Sequence, residues 1–282
     1  MKPLLKTSIT NSVRSFQRLV GELAIVAFIS CGVTPCSLAQ YHEITVRDGG
    51  SVAGRVQLAV NSPAVERLMV TKDNDVCGVQ PSLSRLMIGR NNGVQFAVIS
   101  IEGISEGKKF AGGTSALLSQ KGCEFQPHVM ISGRTTPLEV VNNDRVLHNV
   151  HAYDVTSSPA TIFNIAQPIK GQKSKIEASQ FRDAGIVMIT CDAGHPWMNA
   201  YIVRTDHPYY AVTDADGNFR IDGIPPGTYS VSMWHEGVTV KGRALEKGKA
   251  TKYAFEEPYT QAQQVTVPPR GSSRADFVLK LR

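Results

Sequence analysis

Several signals are scarce in this chain, and each scarcity excludes something. Apolar runs are short. The segment Leu23 to Val33 is about half the ~20 residues a membrane-spanning helix needs, so no transmembrane anchor is expected. The formal charge of +6 is not gathered into a basic stripe. Half of it comes from Lys2, Lys6, Arg14 and Arg18 against Glu22 in residues 1–39. No basic patch is interleaved with aromatics, so nucleic acid is not an expected partner. No His-x-His pair occurs. Cysteine is sparse, with 5 in 282 residues. The composition left over is ordinary and globular, with room for about two domains.

The N-terminus reads as an export leader. Its four basic residues precede the apolar segment, and Ser37-Leu38-Ala39 is a small-x-small cleavage site. Residues 1–39 are therefore expected to be removed, and the mature protein to be periplasmic or extracellular. Lipoprotein anchoring at Cys31 is the rival, weakened by Phe28 in its loosely lipobox-like context. Cleavage after Ala39 leaves Cys77, Cys123 and Cys191. An odd count in an exported protein leaves one thiol to explain. The economical pairing is Cys77 with Cys123, with Cys191 kept as a thiol. The alternative pairs Cys191 with one of the other two.

Chemistry gathers in Cys191-Asp192-Ala193-Gly194-His195-Pro196-Trp197-Met198. The preceding Ile186–Thr190 reads as a strand whose alternation puts Val187, Ile189 and Cys191 on one face. A second imidazole, His148, lies in the strand-like Leu147–His151. Two histidines, one cysteine and a weak methionine make the ligand set of a blue-copper electron-transfer site. The expected metal residues are His148, Cys191, His195 and a long axial Met198, holding one type 1 copper. Other candidates have plainer readings. His151, three residues from His148, points to the opposite strand face. His128 reads as a satisfied edge residue and the best spare ligand. Met188 reads as packing; His42, His207 and His235 have no ligand-like neighbours. Trp197 either shields the site, meets a partner or simply packs. Asp214-x-Asp216-Gly217 hints at calcium but lacks the regular oxygen ligands and late Glu of a calcium loop.

Phe125-x-Pro127, a strand, Asn142-x-Asp144, His148-Asn149-Val150 and Gly185-x-Val187-x-Ile189-x-Cys191 with His195 and Met198 together resemble the cupredoxins, nearest the plastocyanin and amicyanin branch. The resemblance implies a Greek-key β-sandwich over residues 111–206. It also implies a role for Asn149 in tying the His148 segment to the Cys191 loop. Amicyanin-like loops place two residues between Cys and His, whereas this chain places three, with Gly194 free to absorb the extra one. Multicopper oxidases and copper nitrite reductases flank the blue-copper cysteine with histidines of a second centre. Thr190 and Asp192 stand there in this chain, so a non-enzymatic electron carrier is expected.

Residues 207–282 change character. Val212 to Ile221 read as a strand, an Asp-Gly turn and a strand. Ile224 to Val231 follow with a Pro-Gly turn. They resemble carboxypeptidase regulatory-like and starch-binding-like β-sandwich modules. The opening strands usual in such modules stand far upstream, at Ser51–Leu58 and Val98–Gly103. The fold expected is all-β, and residues 40–110 either join 207–282 in one sandwich with the cupredoxin-like unit inserted, or precede it in tandem. The function expected is single-electron transfer between redox partners such as a cytochrome or a dehydrogenase. The alternatives are a non-redox surface module binding carbohydrate or protein, and copper capture or delivery.

Overall fold

The computed structural model describes residues 41–79, 85–110, 115–156, 160–182 and 185–282. The expected leader, its cleavage site and Cys31 lie outside them. All described residues belong to one contact unit. The first strands are β1 (His42–Glu43), β2 (Gly50–Leu58), β3 (Val98–Glu102) and β4 (Glu106–Gly107), with the one-turn helix α1 (Asn74–Cys77) between β2 and β3. Next come β5 (Ala116–Gln120), β6 (Phe125–Gln126), β7 (Val129–Gly133), β8 (Leu138–Asn142), β9 (His148–Asp154), β10 (Ala160–Gln167), β11 (Lys173–Ile176), β12 (Ile186–Thr190) and β13 (Asn199–Thr205). The chain ends with β14 (Tyr210–Val212), β15 (Asn218–Ile224), β16 (Gly227–His235), β17 (Val240–Glu246), β18 (Lys249–Phe255), β19 (Tyr259–Val267), β20 (Ser272–Arg274) and β21 (Phe277–Leu279).

Strands β5 to β13 make a self-contained sandwich of two sheets, ordered β10-β9-β12-β13-β7 and β11-β8-β5-β6. The strands on either side of it in sequence make a second sandwich. Its sheets are β14-β3-β16-β19 and β15-β2-β20, with β21 also pairing β2. Upstream β3 is thus hydrogen-bonded between downstream β14 and β16, and upstream β2 between downstream β15 and β20. The first sandwich is an insertion in the second, and the tandem alternative does not describe this chain. Among the described residues the fold is all-β but for α1 and short 3-10 turns.

Each sandwich closes over its own core. In the split sandwich the alternation of β15, shifted by an irregularity between Asp222 and Ile224, turns Phe219, Ile221 and Ile224 inward against Val52, Val56, Ile99 and Ile101. In the inserted sandwich Leu118, Leu138, Val140, Val150, Val187, Ile189 and Ile202 fill the space between the sheets. A third apolar layer joins the two. Val129, Tyr201 and Val203 on the outer face of β7 and β13 pack with Val98, Trp234 and Tyr210 of the split sandwich. Strand β13 is therefore buried on both faces, which explains why its residues do not alternate with polar ones.

A polar cluster is built into this junction. Arg85 pairs with Glu236, donates to the Tyr201 hydroxyl (2.7 Å) and lies over the Phe255 ring. The far side of Glu236 faces His128. Burial penalises the Glu236 charge, but Arg85 and His128 outweigh it and hold the carboxyl below its usual range. His128 is satisfied here as an edge residue, with its other nitrogen at the Asn199 carbonyl (3.1 Å).

Candidate metal centre

The site is assembled from three segments. β9 supplies His148 at its first position, buried because the strand's even positions face the core. β12 delivers Cys191 at its end, in line with Val187 and Ile189 inside the sandwich. The loop then turns back through Gly194 at φ +90°, a left-handed conformation that favours glycine. A Cβ there would lie 2.9 Å from the Lys72 side chain, and Lys72 itself donates to the Ala193 carbonyl. The turn presents His195, whose carbonyl accepts the Met198 amide (3.0 Å).

Among the described cysteines, Cys191 is a free thiol and Cys77 and Cys123 are disulfide-bonded. The Cys191 Sγ lies 3.5 Å from His195 Nδ1 and 4.0 Å from His148 Nδ1. Both imidazoles are fully buried and Cys191 is 4% exposed. The opposite nitrogen of each ring faces a carboxylate. His148 Nε2 donates to Asp144 Oδ2 (2.9 Å) and His195 Nε2 donates to Asp73 Oδ2 (2.8 Å). An Nε2 proton held by a carboxylate leaves Nδ1 as a bare lone pair. Two lone pairs and one sulfur therefore converge on one point.

The electrostatics match that tautomer. Burial, reinforced by His148 and Lys72 and opposed by Asp73, lowers the His195 pKa, which favours the neutral imidazole. Burial penalises the Asp144 charge, yet the His148 hydrogen bond and the amides of Cys123 and Gly122 (both 2.8 Å) hold its carboxyl below the ordinary range. Burial pushes the Cys191 thiol up to about 11, against the pull of the Asn149 amide, which donates to its sulfur at 3.3 Å. The free thiol is thus protonated at neutral pH, and a metal would displace that proton.

The donor set fits a first-row ion. Metal–imidazole and metal–thiolate bonds of about 2.0 and 2.3 Å, opened to a trigonal angle of ~120°, span ~3.7 Å between nitrogen and sulfur. The observed separations bracket that value. Carboxylate–histidine pairs of this kind orient metal ligands and raise their basicity. Met198 is buried in the same apolar core as Cys191 and Trp197. The ligand atoms that lie within 4.8 Å of one another come from His148, Cys191 and His195.

Asn149 does bridge the segments: beyond its amide contact with Cys191, its Oδ1 accepts the Asp192 amide (3.2 Å). His151 stands outside the cluster, between Asp192, Tyr153 and Thr161 on the opposite face. Trp197 is buried, stacked edge-on beside His195, and donates to the Cys123 carbonyl (3.2 Å). Met188 packs in the layer between the sandwiches. In the Asp214 turn, Oδ1 of Asp214 accepts the Asp216 and Asn218 amides (2.9 and 2.8 Å), and Asp216 pairs with Arg90. Those carboxylates stabilise the turn.

Sequence reasoning missed Asp73 as a partner of His195. It lies 122 residues upstream. It sits on the segment leading into α1, which is closed over His195 by the Cys77–Cys123 disulfide and by Leu68, Val70 and Val76. The cysteine parity was the one signal pointing there. Asp144, four residues before His148, was visible as part of the Asn142-x-Asp144 element of the resemblance, but not as the partner of His148.

Residues 187–280 match the carboxypeptidase regulatory-like domain family. That range begins inside β12 and leaves out β2 and β3, so a contiguous match does not follow the split sandwich's own strands. No curated protein shows a match to the chain. Among solved structures, a purple cupredoxin from Nitrosopumilus maritimus is 19% identical, with 32% of this chain and 100% of that chain covered and a TM-score of 0.27. Amicyanin from Paracoccus versutus is 17% identical over 34% of this chain and 85% of its own, also at 0.27. A copper-containing nitrite reductase from Thermus scotoductus is 22% identical over 35% of this chain, at 0.27, and this chain spans about a quarter of it (24%).

Proposed function

We propose that this protein is an exported mononuclear copper protein that carries single electrons between redox partners. One observation carries the reading. Two buried imidazoles, each fixed by a carboxylate, aim their free nitrogens at one buried thiol. Thiolate suits Cu(I) and imidazole suits both oxidation states, so a copper ion held there supplies a reversible one-electron couple. His148, Cys191 and His195 would hold it, with Met198 as the long axial ligand. Cys191 would lose its proton on binding, while Asp144 and Asp73 would keep the rings in the ligating tautomer. The rigid sandwich limits movement of these side chains when the charge changes.

The neighbours of Cys191, Thr190 and Asp192, provide no histidine link to a second metal, which favours a carrier over a catalyst. The buried site offers no exposed imidazole edge, because the Asp73 segment covers His195. Asp192, half-exposed beside Cys191 and paired with His151, would be where a partner such as a cytochrome or a dehydrogenase comes closest. No helix among the described residues is long and apolar enough to cross a membrane. Spectroelectrochemical titration of the copper-loaded protein tests the function. A carrier gives one fully reversible one-electron wave. Copper that cannot be cycled, or that leaves on reduction, would contradict it.

A further inference from the structure

The disulfide stands against the candidate ligands. The sulfurs of Cys77 and Cys123 and a ring nitrogen of His195 lie within 4.8 Å of one another. Cys123 also groups in the same way with Asp144 and His148. The two cysteines are held very differently. Cys123 is fully buried, its amide donating to Asp144 and its carbonyl accepting from Trp197. Cys77 is half-buried at the end of α1, a four-residue helix with no buried residue. One sulfur is therefore fixed by the inserted sandwich, and the other, the less buried of the two residues, rides on a surface segment.

We propose that Cys77–Cys123 is a thiol-exchange site whose reduction creates a second metal-ligand set, Cys77, Cys123 and His195, for a thiophilic ion. In the exchange, a thiolate of an external dithiol attacks the sulfur of Cys77, the less buried cysteine, and the Cys77–Cys123 bond breaks. Cys123 leaves as a thiolate and takes up a proton. The second thiol of the reagent then attacks the mixed disulfide, and Cys77 leaves in the same way. The dithiol departs as a disulfide, so its two electrons and two protons end on Cys77 and Cys123. Thiolate and imidazole ligands suit soft ions such as Cu(I), and borderline ones such as zinc. The metal displaces the thiol protons when it binds. In the oxidised form neither sulfur is a thiolate, and this second set does not exist. The inference does not require an ion at Cys191, and its test is run without that thiol.

The full chain carrying Cys191→Ser is reduced with dithiothreitol, desalted without air and titrated with Cd(II). The readouts are near-ultraviolet thiolate-to-cadmium absorption and cadmium retained through a second desalting. The reduced variant is expected to retain one equivalent with the absorption band. The oxidised variant, and the reduced Cys77→Ser/Cys123→Ser/Cys191→Ser chain, should retain none. Adding His195→Ala to Cys191→Ser should lose retention while leaving two titratable thiols. The proposal is overturned if reduced and oxidised Cys191→Ser retain equal cadmium, or if the triple variant retains as much. It is equally overturned if dithiothreitol liberates no thiols, or if reduction abolishes the native circular dichroism, because the set requires the fold.

Discussion

Asp144 and Asp73 are the residues on which the ligating geometry turns, because each fixes which imidazole nitrogen is free. Removing such an outer partner typically lowers metal affinity by roughly 10–100-fold. Asp144→Asn and Asp73→Asn are expected to weaken copper binding by that order in chelator competition. Asp192→Asn, whose carboxylate meets His151 instead, should leave it nearly unchanged. His148, Cys191 and His195 were legible in the sequence because strand periodicity and loop spacing are local properties. Asp73 was not, because nothing near residue 73 says which ring a carboxylate will meet 122 positions later. Met198 is buried in the same core as Cys191, as its apolar character leads one to expect.

At the scale of elements, the segment bearing Asp73 is held by the disulfide, by apolar contacts, by Lys72 on the Ala193 carbonyl, by Asp73 on His195 and by the Glu66–Arg243 pair. Closing a loop across a separation of 46 residues is worth about 4 kcal/mol in the chain-entropy model. Cys77→Ser/Cys123→Ser is expected to lower the unfolding free energy by about 2–4 kcal/mol in denaturant titration, with Cys191 still buried. The junction cluster gives a second expectation. Arg85→Leu leaves Glu236 buried without its main counter-charge and should cost about 3–5 kcal/mol. The Glu236 carboxyl is depressed in the folded state, so its contribution is complete above the unfolded carboxyl value of ~4.3 and is lost as pH falls through the folded value. Glu236→Gln should therefore flatten the acid limb of a stability-versus-pH curve and leave its slope near pH 7 unchanged. Neither Arg85 nor Glu236 stood out in the sequence, since their pairing exists only where two sandwiches meet.

For the whole molecule, four sheets stack in order, two from each sandwich, with a buried apolar layer between the inner pair. The two crossings between sandwiches at β3 and β14 tie the insertion at both ends. Calorimetry is expected to show one cooperative transition rather than two separated ones. Replacing Val203 with Asp in the shared layer should lower the stability of both sandwiches together, or split that transition. The all-β class was legible from short alternating runs and from turns such as Asp216-Gly217 and Pro226-Gly227. The upstream strands Ser51–Leu58 and Val98–Glu102 hinted at a broken sandwich. What could not be read was the double burial of β13, because an apolar run does not say what lies on its second face. The central claim remains the convergence of two imidazoles and one thiol on a single ion. Its most direct test is the visible absorption of the copper-loaded mature protein. An intense thiolate-to-copper band, kept in His151→Ala and lost in Cys191→Ser, is the result predicted; no band, or one that survives Cys191→Ser, would contradict it.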